Sequence, residues 1–162
     1  MTLATPAVLR AQGAAVDDLR RTVDGFDQLH AILVQRGDQV ILAEAPRGRG
    51  LSRAANIKSC SKSILALLLG TAVARGEVSL SATLGAVAPA LVPDDATEGA
   101  AALTMEDLVT LRGGLQGTSG GNYGAWVGSR DWVGYVLRQP RIAPNGGRMI
   151  YSTGTTHVLG AA

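Results

Sequence analysis

Cysteine is nearly absent from this chain, because Cys60 is the only one among 162 residues. A lone cysteine excludes an internal disulfide. The two histidines, His30 and His157, lie far from Cys60 in sequence, so the chain has no metal-ligand spacing. We therefore expect neither a structural metal nor a metal cofactor.

Long runs of one residue class are also missing. The 15 Lys and Arg and the 13 Asp and Glu are scattered with no basic block, which argues against a nucleic-acid partner. The most apolar stretch, residues 63–74, is well short of the roughly 20 residues that cross a bilayer, so we expect no membrane span. No apolar segment of secretory-signal length is visible near residue 1, and the compartment, cytoplasmic or periplasmic, stays open.

What is present has the composition of a folded domain. Apolar residues make up 46% of the chain and the mean hydropathy is +0.18, enough to build a packed core. Helical spacing predicts a helix over residues 16–24. Two apolar runs around Gly37 and Asp38 predict a β-hairpin with strands at 29–35 and 39–45. An α+β fold is therefore expected.

A long helix is predicted to begin at Ser59. Its apolar residues cover nearly the whole circumference, which predicts burial on most sides. It is expected to end near Arg75 and Gly76, a basic residue followed by a glycine C-cap.

Shorter helices are predicted at 104–111, where Thr104 opens a capping box, from Ser129 onwards, and at 155–162. The segment 115–129 contains five glycines and predicts a loop. It lacks the lysine of a phosphate-binding loop, so no nucleotide cofactor is expected. "PNGGRMIYSTG" predicts a turn followed by a short extended segment.

The head of the long helix carries a hydroxyl and an amine at a useful spacing. Ser59 and Lys62 are three residues apart, so their side chains share a helix face. A serine is a poor nucleophile until a base takes its proton, and an amine can be that base when its surroundings lower its pKa. Backbone N–H groups of a first helical turn can also stabilise an oxyanion. The competing interpretation makes Ser59 an N-cap and Lys62 a solvated lysine.

Tyr151, in "IYSTG", is a second candidate for proton transfer. A phenol near a lysine can exist partly as phenolate and exchange a proton with a serine or with a leaving group. The competing interpretation is a half-buried aromatic residue at the end of a strand.

Three segments together resemble a known family. "NIKSCSKSILALLLGTAVARGEVSL", "LTMEDLVTLRGGL" and "GGRMIYSTGTTHVLG", in this order, are similar to the serine β-lactamase and penicillin-binding-protein superfamily. The closest branch is class C-like and holds D-alanyl-D-alanine peptidases, esterases and 6-aminohexanoate-dimer-hydrolase-like enzymes. The resemblance covers about residues 28–162 and implies a serine hydrolase that works through an acyl-enzyme.

The resemblance assigns roles to individual residues. It implies that Ser59 is the acylated nucleophile, that Lys62 is its proton partner and that Tyr151 is the general base and acid. Thr153 falls where many members carry Asn, which fits an ester or amide hydrolase better than a β-lactamase. The glycine-rich insert lines one wall of the family's substrate cleft, so Tyr123 and Trp126 are candidate substrate contacts. The substrate class is a small ester, amide or peptide, and no cofactor is implied.

The resemblance also implies a division of the chain and an incomplete fold. Residues 1–79 would hold the hairpin and nucleophile helix of the α/β domain, 80–147 a mostly helical insert, and 148–162 the tyrosine motif with a return helix. The family's third motif, Lys or His followed by Thr or Ser and Gly, has no counterpart after Tyr151. We therefore expect the N-terminal part of a β-lactamase-like fold, without its C-terminal strands. The nucleophile helix would then be partly uncovered, the oxyanion hole half built, and the activity by itself weak or absent.

Two other interpretations stay open. Cys60 could act as a nucleophile with His157 as its base, although Cys60 points about 100° away from Ser59 on a helix. The chain could also be a non-catalytic relative that binds peptidoglycan-like or acylated ligands, or an inactive truncated product.

Overall fold

The computed structural model describes residues 6–48 and 50–162. These residues form an α+β structure with one two-stranded antiparallel sheet and seven α-helices. The chain separates into two compact units after Asn56. The predicted boundaries at residues 79 and 147 fall inside the second unit, and that finer division stays a prediction.

The first unit contains one helix and one hairpin. Helix α1 spans Pro6–Asp24, strand β1 spans Ile32–Arg36 and strand β2 spans Gln39–Glu44. The predicted hairpin is confirmed, and its strands pair antiparallel with a bulge after Val34. Gly37 takes a positive φ of 58° in the two-residue turn, a conformation that glycine adopts without steric cost.

Helix α1 is anchored to the hairpin side of this unit by polar contacts. The Arg20 guanidinium donates to a Glu44 carboxylate oxygen at 2.6 Å. Arg47 donates to the carbonyls of Phe26 and Asp24, just beyond and at the end of α1. Because both partners of the Arg20–Glu44 pair are solvent-accessible, that pair contributes little to stability.

The second unit opens with the helix predicted to begin at Ser59. A 3-10 turn at Lys58–Cys60 leads into α2, which spans Ser61–Ala74. Arg75 is its C-cap, and Gly76 follows with a φ of 72°. The N–H groups of Gly76 and Glu77 donate to the carbonyls of Val73 and Ala72, the pairing of a Schellman motif. The predicted end of the helix is confirmed.

The burial of α2 on most sides that its apolar pattern predicts is wrong, whereas the expectation that this helix is partly uncovered agrees with the structure. Leu65 and Leu69 pack against the core of this unit. Ile64, Leu67 and Leu68, however, are 50%, 72% and 59% exposed. Side chains around the helix are apolar, but the neighbouring elements cover only one side of it.

The remaining elements of the second unit are short. Two 3-10 turns lie at Pro89–Leu91 and Gly120–Asn122. The helices are α3 at Leu84–Val87, α4 at Met105–Val109, α5 at Tyr123–Val127, α6 at Trp132–Leu137 and α7 at Thr153–Ala161. Over residues 6–48 and 50–162, no helix combines the length and apolarity needed to cross a membrane.

Local capping explains where two of these helices begin. The Thr104 hydroxyl accepts from the Asp107 N–H, and the Asp107 carboxylate accepts from the Thr104 N–H, so the predicted capping box is confirmed. The predicted cap of α6 is wrong: Asp131 accepts from the Gly134 N–H, whereas the Ser129 hydroxyl donates to the Trp126 carbonyl. The carboxylate is one residue from the helix, and Ser129 is too early in the chain to reach its first turn.

Two further expectations are corrected. Residues 115–129 are not all loop, because the 3-10 turn at Gly120–Asn122 and helix α5 interrupt them. Trp126 drives this local order, since its side chain is buried to 4% exposure in the core. The segment before Tyr151 is irregular, with no strand, although the Ile150 N–H donates to the Leu111 carbonyl.

Helix α7 is inserted into the core of the second unit. Its N-cap, Ser152, is 1% exposed and accepts from the N–H groups of Thr118 and Thr155. The Gly154 N–H donates to the Thr118 hydroxyl at 2.8 Å. The core beneath it consists of Leu84, Ala100, Leu103, Met105, Leu108, Leu115, Trp126, Val136, Leu137, Val158 and Leu159.

We predict that Gly154→Ala destabilises the second unit by about 1–3 kcal/mol. A Cβ at this position would collide with the Thr118 hydroxyl and a Val136 methyl group, both of which are buried. The measurement is chemical denaturation followed by circular dichroism. Gly160→Ala, on the same helix, is the control, because its Cβ would meet Leu65 only at 3.5 Å. A Gly154→Ala protein as stable as the Gly160→Ala protein would contradict this packing.

Candidate active site

Ser59 and Lys62 meet at the N-terminal end of α2. The Lys62 Nζ donates to the Ser59 Oγ across 3.3 Å, as the three-residue helical spacing allows. Ser59 is exposed and Lys62 is partly buried. The hydroxyl is therefore accessible to a substrate from solvent, while the ammonium is held beside it.

The backbone before Ser59 is strained. Lys58 has a φ of 49°, in the left-handed region that costs a non-glycine residue free energy. This residue starts the 3-10 turn, which continues as the Cys60 N–H donates to the Ile57 carbonyl at 3.1 Å. The Ser59 N–H lies in the first helical turn, where backbone donors have no intrahelical acceptor. It is the kind of donor that can hold an oxyanion formed at the Ser59 Oγ.

Tyr151 completes a three-residue cluster. The Lys62 Nζ, which donates to the Ser59 Oγ, also lies 5.1 Å from the centroid of the Tyr151 ring. The hydrogen bond from Ser59 is the main cause that lowers the pKa of the Tyr151 phenol below its ordinary value, and the positive charge of Lys62 adds to the effect. Both interactions favour the phenolate form.

Thr153, the first residue of α7, belongs to the same cluster. The Lys62 Nζ donates to the Thr153 Oγ1 across 3.3 Å, so this ammonium bridges Ser59 and Thr153. On its other side, the Thr153 hydroxyl is 2.9 Å from the Ser119 hydroxyl. Sequence reasoning missed Ser119, because one serine in a glycine-rich segment carries no spacing signal that connects it to residue 153.

Tyr123 and Trp126 belong to a different group of side chains. The Trp126 ring is buried, contacts the rings of Trp132 and His157 at centroid distances of 5.5 and 5.9 Å, and donates its indole N–H to the Trp132 carbonyl. Tyr123 is 48% exposed and meets the edge of Trp126 at 5.7 Å. Their proposed role as substrate contacts stays a prediction.

A groove of about 450 Å³ lies between Lys62 and Thr153 of the cluster and the buried ring of Trp126, and neither Ser59 nor Tyr151 lines it. Lys62 and Thr153 line one part of it, and Leu65, Trp126 and His157 line the more apolar part. The structure thus brings Ser59, Lys62, Tyr151 and Thr153 together, and Trp126 reaches the same groove from the core.

Other chemistry receives little support from the geometry. Cys60 is exposed on the 3-10 turn, whereas His157 packs edge-on against Trp126 and Trp132. Within the part of the chain that the structure describes, no group of three or more His, Cys, Asp or Glu residues could hold a metal ion.

Comparison with known proteins gives one finding. The family model described as Beta-lactamase matches residues 19–162, most of the chain. No curated protein sequence matches the chain.

We predict that Ser59→Ala and Lys62→Met each raise the pKa of the Tyr151 phenol towards its ordinary value. The first substitution removes a hydrogen bond to the phenolate and the second removes a neighbouring positive charge. The measurement is an ultraviolet phenolate titration, with the Tyr151→Phe protein subtracted to isolate this residue. Cys60→Ser is the control, because the Cys60 side chain acts in the opposite direction. If neither variant moves the titration, the cluster does not exist in solution.

Proposed function

The chain belongs to the β-lactamase family, a family of the serine hydrolase type, and we propose that it hydrolyses an ester, amide or β-lactam carbonyl through an acyl-enzyme on Ser59. The observation that carries the proposal is the cluster at the head of α2, where the Lys62 Nζ donates to the Ser59 Oγ and lies 5.1 Å from the centroid of the Tyr151 ring. A nucleophile, a cation and a phenol with a lowered pKa are the groups that this reaction needs.

Acylation follows from the directions of these hydrogen bonds. Lys62 as an ammonium donates to the Ser59 Oγ, so the serine can give its own proton to the phenolate of Tyr151. The Ser59 Oγ then forms a bond to the substrate carbonyl carbon, and the carbonyl oxygen becomes an oxyanion. The Ser59 N–H, in the first turn of the helix, can donate to that oxyanion. Tyr151, now protonated, gives its proton to the leaving alcohol or amine as the bond to it breaks.

Deacylation uses the same groups in the same order. Tyr151 is again a phenolate after the leaving group has departed, and it takes a proton from an attacking water. The water oxygen bonds to the acyl carbon, the second tetrahedral intermediate collapses, and the proton returns to the Ser59 Oγ. The positive charge of Lys62 stabilises the phenolate in both steps, which is the direction of its effect on the pKa of Tyr151.

The substrate class that we favour is an ester or amide. Thr153 contributes a hydroxyl to Lys62 where many relatives of the class C-like branch carry Asn. A single hydroxyl cannot donate and accept at two separate atoms as a carboxamide does, so it offers less recognition of a β-lactam side chain. This supports an esterase-like or amidase-like member of that branch.

Turnover by residues 1–162 is expected to be slow. Ser59 and Tyr151 are exposed, and water around them weakens the electrostatic stabilisation of an oxyanion. The same exposure favours a second candidate function, a non-catalytic protein that binds acylated or peptidoglycan-like ligands in the open cluster. The two candidates differ in whether a covalent bond to Ser59 forms.

We predict that a fluorescent fluorophosphonate labels Ser59 and that Ser59→Ala abolishes the labelling. The reason is that only a serine whose proton has an acceptor attacks phosphorus at a useful rate. Peptide mapping by mass spectrometry identifies the labelled residue. Ser61→Ala is the matched control, since its hydroxyl donates to the Lys58 carbonyl and to no side chain of the cluster in the described residues. A folded protein that binds an acylated ligand without becoming labelled would favour the binding protein.

We predict that Tyr151→Phe lowers kcat/KM for a p-nitrophenyl ester by about 10²–10⁴-fold, the usual contribution of a general base. In the wild type, kcat/KM rises with pH as the phenol ionises. Because the folded-state pKa is lowered, the plateau is reached at a lower pH than an ordinary tyrosine would give. Tyr123→Phe removes the phenol of a candidate substrate contact, so it can change KM, but it keeps the wild-type pH dependence because no base is lost. An unchanged pH profile in Tyr151→Phe would exclude Tyr151 as the base.

A further inference from the structure

Among the described residues, Ser119 is hydrogen-bonded to the proposed catalytic cluster only through Thr153. Its Oγ accepts from the Thr153 N–H at 2.9 Å and lies 2.9 Å from the Thr153 Oγ1. The same Thr153 Oγ1 accepts from the Lys62 Nζ. The Thr153 hydroxyl therefore links the Lys62 ammonium to Ser119.

The hydrogen bonds that link Lys62, Thr153 and Ser119 can be arranged in only a few ways. An ammonium has no acceptor, so the Thr153 Oγ1 must accept from Lys62. The Thr153 hydroxyl then needs an acceptor for its own proton or a second donor, and Ser119 supplies either one. In both cases Ser119 sets the rotation of the Thr153 hydroxyl and the direction of its lone pairs.

The segment that carries Ser119 is held firmly. Thr118 is fully buried, and its hydroxyl is 3.2 Å from the Ser152 hydroxyl. The Asn122 side chain donates to the Gly117 carbonyl at 3.2 Å and accepts from the Tyr135 hydroxyl. A serine on such an anchored segment can position a partner, because its own backbone has little freedom.

We propose that Ser119 is a positioning residue that orients the Thr153 hydroxyl and thereby keeps the Lys62 ammonium beside the Ser59 Oγ and over the Tyr151 ring. This role rests on the proposed hydrolase function, because it has a catalytic consequence only if Ser59 is acylated. Ser119 itself does not contact Ser59, Lys62 or Tyr151 through any hydrogen bond in the described residues. Ser119 therefore acts indirectly, by changing the position of the Lys62 ammonium through Thr153.

The test compares three variants in the full chain. Ser119→Ala removes the hydroxyl, and Ser119→Thr keeps it on a backbone whose φ of −108° suits a β-branched residue. Ser81→Ala is the control, because that serine is exposed and its hydroxyl pairs, within residues 6–48 and 50–162, only with Ser79. The readouts are kcat and KM for a p-nitrophenyl ester and the phenolate titration of Tyr151, and circular dichroism checks that each variant folds.

We expect Ser119→Ala to lower kcat about tenfold, the effect of one hydrogen bond, with little change in KM. It should also raise the pKa of the Tyr151 phenol, since a displaced Lys62 no longer stabilises the phenolate. Ser119→Thr restores both values. In a Thr153→Val background, Ser119→Ala adds little further loss, because the group through which it acts is already gone.

Several results would overturn the proposal. A Ser119→Ala protein with wild-type kcat and an unmoved titration excludes positioning, as does a loss of kcat that occurs without any shift of the phenol. If the wild type shows no esterase activity and no labelling of Ser59, the proposed function fails, and the titration alone then decides whether Ser119 positions Lys62. If Ser119→Ala does not fold, the near-isosteric Ser119→Cys takes its place with the same expectations.

Discussion

The structure of the site depends on a pair of buried hydroxyls. Thr118 and Ser152 are 0% and 1% exposed. The Ser152 hydroxyl accepts from the N–H groups of Thr118 and Thr155, and the Thr118 hydroxyl accepts from the N–H of Gly154. Buried polar groups without partners are costly, so the two segments can come together only in the arrangement that satisfies both hydroxyls. The neighbours of these residues, Ser119 on one segment and Tyr151 and Thr153 on the other, are thereby fixed in relation to each other.

Glycine makes this close approach possible. A Cβ at Gly117 would lie 2.8 Å from the Tyr151 carbonyl, and a Cβ at Gly154 would enter the space of the Thr118 side chain. The glycine-rich segment is therefore not a flexible loop in the described structure. Its small residues let one backbone pass directly against another, and the order that results includes helix α5 and the buried ring of Trp126.

The electrostatic interactions of the cluster favour proton transfer, but water can screen them. Hydrogen bonding from Ser59 and the charge of Lys62 lower the pKa of Tyr151, while partial desolvation opposes them. The exposed rim admits water, which screens these interactions. The apolar side of α2 that carries Ile64, Leu67 and Leu68 is likewise uncovered. Membership of the β-lactamase family indicates the kind of chemistry, whereas the rate and the substrate depend on how well this site excludes water.

The amino-acid sequence by itself determined the local features. The hairpin around Gly37, the capping box of Thr104 and the glycine that ends α2 after Arg75 each depend on contacts within a few residues, which spacing and residue type specify. Ser59 and Lys62 meet for the same reason, since three residues of helix bring their side chains to one face. Only the tertiary structure decided which side of α2 is covered, that Asp131 rather than Ser129 caps α6, and that Ser119 reaches Thr153. Those outcomes depend on the distances between segments that are far apart in the chain, and a local sequence pattern does not specify such distances.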